Sequence, residues 1–377
     1  MPYENLYNHC LYSEYHEKLD LNYLKSKSGE SLLINLSMFD YERGNYINFI
    51  ENDSDAYFTS FCYFKQLKKL DLTNAKITDV AIEYLAQCDF IKGLHSLCLS
   101  KTKISDVTTK YFIKCDFKEL QELDLSKTKI SNRSVKNLVK CCLKQLKKLD
   151  LSYNRMTNNA IKYLINCDFK QLQELNISKN KITDKAVKYL IHCCFNQLQK
   201  LDLSQNKITD NSTMYMIKCD FKLIQILYLN NINSAKLTEC LANCDFKNIK
   251  ELYLSDTQID DISMKYLIQC NFKQLEKLDL SYNKITDKGI EHFINCNFKL
   301  LKKIYLQGTK ITDISLKYMI ECDFKHLEEL YIYNTAVTDK MVEFLVKCDF
   351  RLKKLWVPLQ LTIRKYIKIL YSDCEIC

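Results

Sequence analysis

The sequence predicts an α/β stacked-repeat fold, about twelve units of 26 residues with one strand and one helix in each. Three observations carry this. A cysteine returns at Cys62, Cys88, Cys115, Cys141, Cys167, Cys193, Cys219, Cys244, Cys270, Cys296, Cys322 and Cys348, and the spacing departs from 26 only twice, to 27 after Cys88 and 25 after Cys219. Each cysteine opens the same phrase, as in the run C-N-F-K-Q-L-E-K-L-D-L-S-Y-N-K-I-T-D from Cys270 to Asp287. Within the phrase a period-2 leucine pattern is followed by a helical one. A unit this short cannot bury its own core, so a fixed period means that neighbours stack on one another.

The strand comes first. Leucines such as Leu120, Leu123 and Leu125, or Leu275, Leu278 and Leu280, close on an apolar–polar alternation, the mark of a strand with one buried face. An Asn or Thr follows: Asn154, Asn180, Asn206 and Asn283, or Thr102, Thr128, Thr257, Thr309 and Thr335. Such a side chain can bond the backbone of adjacent turns where the chain leaves the strand. The helix begins next. Thr183-Asp184 and Thr286-Asp287 offer an N-cap oxygen and a negative charge at the positive helix end. Val187, Leu190 and Ile191 give the apolar stripe behind it. After each cysteine stands an aromatic spine (Phe64, Phe90, Phe117, Phe169, Phe195, Phe221, Phe246, Phe272, Phe298, Phe324, Phe350), broken by Leu143. One ring per repeat at fixed phase reads as core packing rather than a ligand stripe.

This run of leucines, Asn and I-T-D ahead of a short helix resembles a leucine-rich repeat. It is most similar to the cysteine-containing and ribonuclease-inhibitor-like classes. The resemblance implies a curved solenoid with a concave parallel β-sheet and convex helices. The domain plan is then an acidic capping segment at 1–60, the repeat array at 61–360, and a degenerate half-repeat cap at 361–377. The first segment has four Lys/Arg against ten Asp/Glu, a net of −6, whereas the whole chain is +9. Residues Leu32 to Leu36 are its candidate vestigial strand. Cysteine-rich repeats of this kind also resemble those of F-box proteins, implying a substrate-recognition subunit of an SCF-type ubiquitin ligase. Residues 1–60 hold no Leu-Pro start and no Trp, which weighs against that alternative.

Catalysis has little to work with. Five scattered glycines exclude a phosphate-cradling loop, and six histidines fall in unrelated phases. The expectation is a non-enzymatic scaffold with no cofactor, no metal site and no small-molecule substrate. Cys374-Glu-Ile-Cys377 is one lone C-x-x-C, weak as a zinc signal. The same residues fit a prenylation box. Polar Glu375, a terminal Cys and the 26-residue phase of Cys374 with the cysteine column weigh against it. Nineteen cysteines, thirteen in one column, read as a buried ladder of free thiols in a reducing compartment. The N-terminus shows no signal peptide, and no apolar run is long enough for a membrane span. The expected location is therefore cytoplasmic, with the nucleus as a further compartment.

The expected partner is another protein, bound on the concave face. The column before the last strand leucine reads Asp71, Cys98, Asp124, Asp150, Asn176, Asp202, Tyr228, Tyr253, Asp279, Tyr305, Tyr331 and Trp356. It passes from acidic to aromatic, and exposed Tyr and Trp are the types enriched at binding hot spots. The candidate site is Tyr228, Tyr253, Tyr305, Tyr331 and Trp356. Asp279, Lys303 and Glu329 would set orientation, and Asp124, Asp150 and Asp202 form the acidic part. Two residues earlier, charges alternate through Glu122, Lys148, Glu174 and Lys200, and again through Glu251, Lys277, Lys303 and Glu329. Such neighbours can satisfy one another. Lys76, Lys103, Lys129, Arg155, Lys181, Lys207, Lys284 and Lys310 form a basic rim, the basis of a second alternative: nucleic-acid or acidic-surface binding. Aspartates three residues on, such as Asp106 and Asp184, are expected to neutralise that rim, which disfavours nucleic acid.

Overall fold

The computed structural model describes residues 19–20, 46–48, 67–193, 195–219, 222–322, 324–348, 350–358 and 375–376. The chain packs as two compact units, residues 1–181 with 193–197 and residues 182–192 with 198–377.

The first unit holds strands β1 Leu19–Asp20, β2 Tyr46–Asn48, β3 Lys69–Asp71, β4 Ser96–Cys98, β5 Glu122–Asp124, β6 Lys148–Asp150 and β7 Glu174–Asn176. Each pairs parallel with the next, leucine opposite leucine, as in Leu97↔Leu123 and Leu123↔Leu149. Helices α1 Asp79–Leu85, α2 Thr108–Phe112, α3 Asn132–Leu138 and α4 Asn158–Leu164 follow β3 to β6 in turn.

The second unit opens on α5 Asp184–Leu190. Its strands are β8 Lys200–Asp202, β9 Ile226–Tyr228, β10 Glu251–Tyr253, β11 Lys277–Asp279, β12 Lys303–Tyr305, β13 Glu329–Tyr331, β14 Lys354–Trp356 and β15 Glu375–Ile376, again parallel in sequence order. Between them lie α6 Thr213–Met216, α7 Leu237–Ala242, α8 Asp261–Leu267, α9 Asp287–Glu291, α10 Asp313–Glu321 and α11 Met341–Leu345. This is the α/β repeat solenoid that the period and the leucine alternation predict.

The core follows the repeat columns. The strand and flanking leucines are buried, as are Phe90, Phe117, Phe169, Phe246, Phe272, Phe298 and Phe324 and the helix residues Val187 and Leu190. Phe272 packs on Phe298 with ring centroids 6.0 Å apart, and Phe117 meets Phe112 edge-on at 5.2 Å. Phe195 is only half-buried, as is Ile191, while Phe64 and Phe221 lie outside the described residues.

The Asn/Thr position acts as the strand-exit clamp. The Asn283 amide donates to the carbonyls of Leu254, Leu280 and Ser281, while its oxygen accepts from the Thr257 and Ile259 amides. Asn154 and Asn180 repeat the pattern in the first unit. Threonine does less of it, returning its hydroxyl to the carbonyl three residues back, as Thr102 does to Leu99 at 2.7 Å.

One feature corrects the sequence reading. The cysteine column is not uniformly buried: Cys88, Cys115, Cys167, Cys270 and Cys322 are, but Cys141, Cys193, Cys219, Cys244, Cys296 and Cys348 are half-exposed. The column closes the helices at their rim, where thiols such as those of Cys115 and Cys270 donate to the carbonyl four residues earlier. That bond quietens an orphan helix-end acceptor. Burial still pushes Cys115, Cys141, Cys167, Cys219 and Cys270 up to about 12. Cys374 lies outside the described residues, while Glu375 beside it pairs with Lys354. Residues 361–371, Leu32–Leu36 and Cys62 lie outside the described residues. The shortened repeat after Cys219 keeps its place: Ile232 is buried in the clamp position, and Asn231 still donates its amide to the Ser255 carbonyl.

Candidate functional site

Each three-residue strand buries its middle leucine and leaves its two outer side chains on the open sheet face. The last of these is the candidate column, and the two units use it differently.

In the second unit the rings form two stacks. Tyr228 lies on Tyr253 at 4.2 Å and 9° between planes. Tyr305 lies on Tyr331 at 4.3 Å, and Tyr331 on Trp356 at 5.8 Å. Parallel in-register strands set this spacing, since rings on adjacent strands sit about 4.8 Å apart. Asp279 separates the stacks. Lys277 spans the interruption, its ammonium 5.0 Å from the Tyr253 centroid and 5.9 Å from that of Tyr305. The Tyr253 hydroxyl donates to Glu251 at 2.6 Å and that of Tyr331 to Glu329 at 3.0 Å. Burial and these carboxylates raise both phenols, and burial with the Glu329 charge pushes Tyr305 up to about 12. The stacks thus present neutral rings at any physiological pH. Trp356, 37% exposed, ends the file.

The charged candidates are already engaged. Lys303 pairs with Glu329 at 2.8 Å. Burial opposes the Glu329 charge, yet hydrogen bonds from Lys303 and Tyr331 outweigh it and hold the carboxyl below its ordinary value. In the first unit Lys148 bridges Glu122 and Glu174 at 3.5 and 3.2 Å, so the alternating column satisfies itself as its sequence suggests. Asp124, Asp150, Asp202 and Asp279 turn back on their own chain, each accepting the amide two residues on, from Ser126, Ser152, Ser204 and Ser281. The acidic part is therefore foremost a set of turn caps.

Three features escaped the sequence reading. Several rim aspartates spend their carboxylate oxygens on the next repeat. Asp106 accepts the amides and hydroxyls of both Ser131 and Ser134 in the next repeat, and Asp287 does the same with Thr312 and Ser315. Asp79, Asp184, Asp261 and Asp313 make the same inter-repeat bonds. Secondly, the residue ahead of the clamp position is left-handed in repeat after repeat, including Lys101, Lys127, Tyr153, Lys179, Gln205 and Tyr282. The conformation is held by the ladder, as when the Lys127 amide donates to the Ser152 carbonyl at 3.0 Å. Gly308 shares this conformation with φ +70°, and a Cβ there would meet the Tyr282 ring at 2.4 Å. Thirdly, Tyr333 extends the aromatic file, 6.2 Å from Trp356. Its position, taken by Ser in most repeats, was the available signal.

Among the described residues, no group of three or more His, Cys, Asp or Glu is arranged to hold a metal. No described helix is long and apolar enough to cross a membrane.

Family comparison agrees with the repeat columns. The Leucine Rich repeat model matches residues 66–86, 144–164, 171–190 and 196–212, and a two-copy Leucine Rich repeats model matches 247–292. No curated protein matches the sequence. Among solved structures, a leucine-rich repeat protein of Leptospira interrogans is similar at TM-score 0.55 and 18% identity, covering 89% of this chain and 90% of that one. An internalin of Listeria monocytogenes gives 0.53 and 20%, covering 77% and 82%. A chain of the yeast Rad7–Elc1 complex gives 0.53 and 15%, covering 86% and 83%. With repeats recognised in both units, and the same strand-clamp-helix phrase recurring between the matched segments, this chain is a leucine-rich repeat protein.

Proposed function

We propose that the chain is a non-enzymatic scaffold that binds a partner protein on the open sheet face of its second unit. Leucine-rich repeat domains as a class mediate protein–protein binding. The observation that carries the reading is the pair of ring stacks, Tyr228–Tyr253 and Tyr305–Tyr331–Trp356. They stand on the face opposite the leucine core, where folding does not require aromatic residues, as Asp and Asn in the same column demonstrate. Rigid rings held by their neighbours lose little entropy on being covered, which is why Tyr and Trp anchor interfaces. The free thiols fit a reducing compartment, supporting an intracellular role.

The test is recovery of partner proteins on the immobilised full chain, compared with a Tyr305→Ala/Tyr331→Ala/Trp356→Ala variant of unchanged melting temperature. The proposal expects the variant to lose partners that the native chain retains. Equal recovery would refute it.

A second reading, substrate recognition in an SCF-type ligase, draws on the F-box resemblance of the repeats. One structural neighbour was also solved in complex with a second protein, Elc1. Deleting residues 1–60 separates the two readings. A ligase subunit would lose an adaptor while keeping its sheet-face partner, whereas a scaffold would show no such adaptor.

A further inference from the structure

The left-handed residues and their second neighbours build a surface unrelated to the aromatic file. In the first unit the left-handed position holds Lys101, Lys127, Tyr153 and Lys179 in successive repeats. Two residues on, Lys103, Lys129, Arg155 and Lys181 form a parallel file, all exposed. Both files are fixed from below: the Lys101 and Lys127 amides donate to Ser126 and Ser152, and those of Lys129 and Lys181 to Ile104 and Met156. Four repeats at about 4.8 Å make a double row of cations about 14 Å long.

Among the described residues, none of these seven cations forms an ion pair. The nearest rim aspartates, Asp79 and Asp106, bond the next repeat's amides and hydroxyls rather than these cations. Asp124 and Asp150 cap their own turns. At the centre, the Tyr153 ring has the Lys127 ammonium 4.5 Å from its centroid and that of Lys179 at 4.2 Å, one from the repeat on each side. The ring thus holds two ammonium groups in place along the row. The second unit has nothing comparable, since its left-handed positions read Gln205, Asn231, Asp256, Tyr282, Gly308 and Asn334.

We infer that this edge, residues 101–181, binds the phosphate backbone of nucleic acid. A linear row of point charges, whose one exposed ring, Tyr153, already carries two ammonium groups, suits a phosphate chain, where released counterions supply the free energy and no base need be read. An acidic protein segment suits it less, because exposed lysine–carboxylate pairs contribute little each. Such an interface depends on a buried apolar or aromatic anchor, and the one ring here is already occupied.

The test is fluorescence anisotropy of a labelled oligothymidylate with the full chain across a potassium chloride series. The inference expects binding whose log–log salt slope falls by about 1.4 in a Lys127→Gln/Lys179→Gln variant, about 0.7 for each single-strand phosphate that is no longer neutralised. Melting should be unchanged, and Lys284→Gln/Lys310→Gln in the second unit should leave the slope as it was. Absence of binding at low salt would overturn the inference, as would an unaltered slope in the first variant. So would polyglutamate displacing the oligonucleotide at equal charge concentration.

Discussion

The two units share their core columns and differ on their surfaces. The column that ends each strand reads Asp71, Cys98, Asp124, Asp150 and Asn176 in the first unit, but in the second it includes Tyr228, Tyr253, Tyr305, Tyr331 and Trp356. The left-handed position runs mostly to lysine in the first unit, and in the second to uncharged residues and one aspartate, Asp256. The leucines, the Asn/Thr clamp and the phenylalanine spine do not follow this division. The lesson is a separation of duties by column: burial fixes some positions in every repeat, and the positions that only face water are free to specialise along the array.

The comparison predicts equal fragility where the columns agree. Phe117→Ala in the first unit and Phe272→Ala in the second should each cost about 3–5 kcal/mol in chemical denaturation, since both rings are fully buried between stacked repeats. A near-neutral result in one unit alone would mean that the spine is structural in only one of them.

Next in size is the interlock between repeats. Asp106→Ala and Asp287→Ala should each cost about 2–3 kcal/mol, because each removal strands one amide, that of Ser131 or Thr312, and takes the acceptor from two hydroxyls. Lys103→Ala, three residues from Asp106, should cost almost nothing if the two are not partners. Comparable losses for Lys103 and Asp106 would restore charge neutralisation as the role of that aspartate.

Acid separates two aspartate columns. Burial opposes the Asp106 charge, but the hydroxyls and amides of Ser131 and Ser134 outweigh it and hold the carboxyl below its ordinary value. Its stabilisation is present above the unfolded carboxylate pKa and is lost as pH falls through the lower folded value. Asp279 behaves oppositely: burial raises its carboxyl despite bonds from Ser281 and the nearby Lys277 charge, so its ionised form is penalised in the folded state. Asp279→Asn keeps an acceptor for the Ser281 amide, as Asn176 does for Ser178. It should therefore raise the melting temperature slightly at neutral pH. The gain should disappear as pH falls through the raised Asp279 value, where the native carboxyl protonates too. A gain independent of pH would show that the charge is not the cause.

Thiol reactivity gives the smallest effect. Cys142 is exposed, whereas burial pushes the Cys115 and Cys167 thiols up to about 12. Brief alkylation at neutral pH should label Cys142 before those two, and labelling them first would contradict their burial.

Most of the fold was legible because its determinants recur one per repeat and act through burial. Leu123, Asn154 and Phe272 each announce their role by period alone. The Asp106 interlock was not legible, because a local helix-start explanation accounts for the same T-D or S-D pair. Its true partners, Ser131 and Ser134, lie 25 and 28 residues away. The left-handed column was hidden for another reason. Lys101, Tyr153, Gln205 and Asn231 share a conformation held by inter-repeat amides rather than by residue type, so no glycine marks it. The ring file was legible as a column, but its division into two stacks with Lys277 between them depends on side-chain geometry that period does not encode.

The central claim is that the second unit's ring stacks form the binding face. Trp356 is the only tryptophan of the chain and ends that file, so its emission reports engagement directly. The deciding measurement is a fluorescence titration of the native chain and of Tyr331→Ala with the partner recovered on the immobilised protein. The account predicts a Trp356 emission change on binding, and about 30-fold weaker affinity for Tyr331→Ala, equivalent to about 2 kcal/mol, at unchanged melting temperature. Equal affinities, or binding that leaves Trp356 emission unaltered, would contradict it.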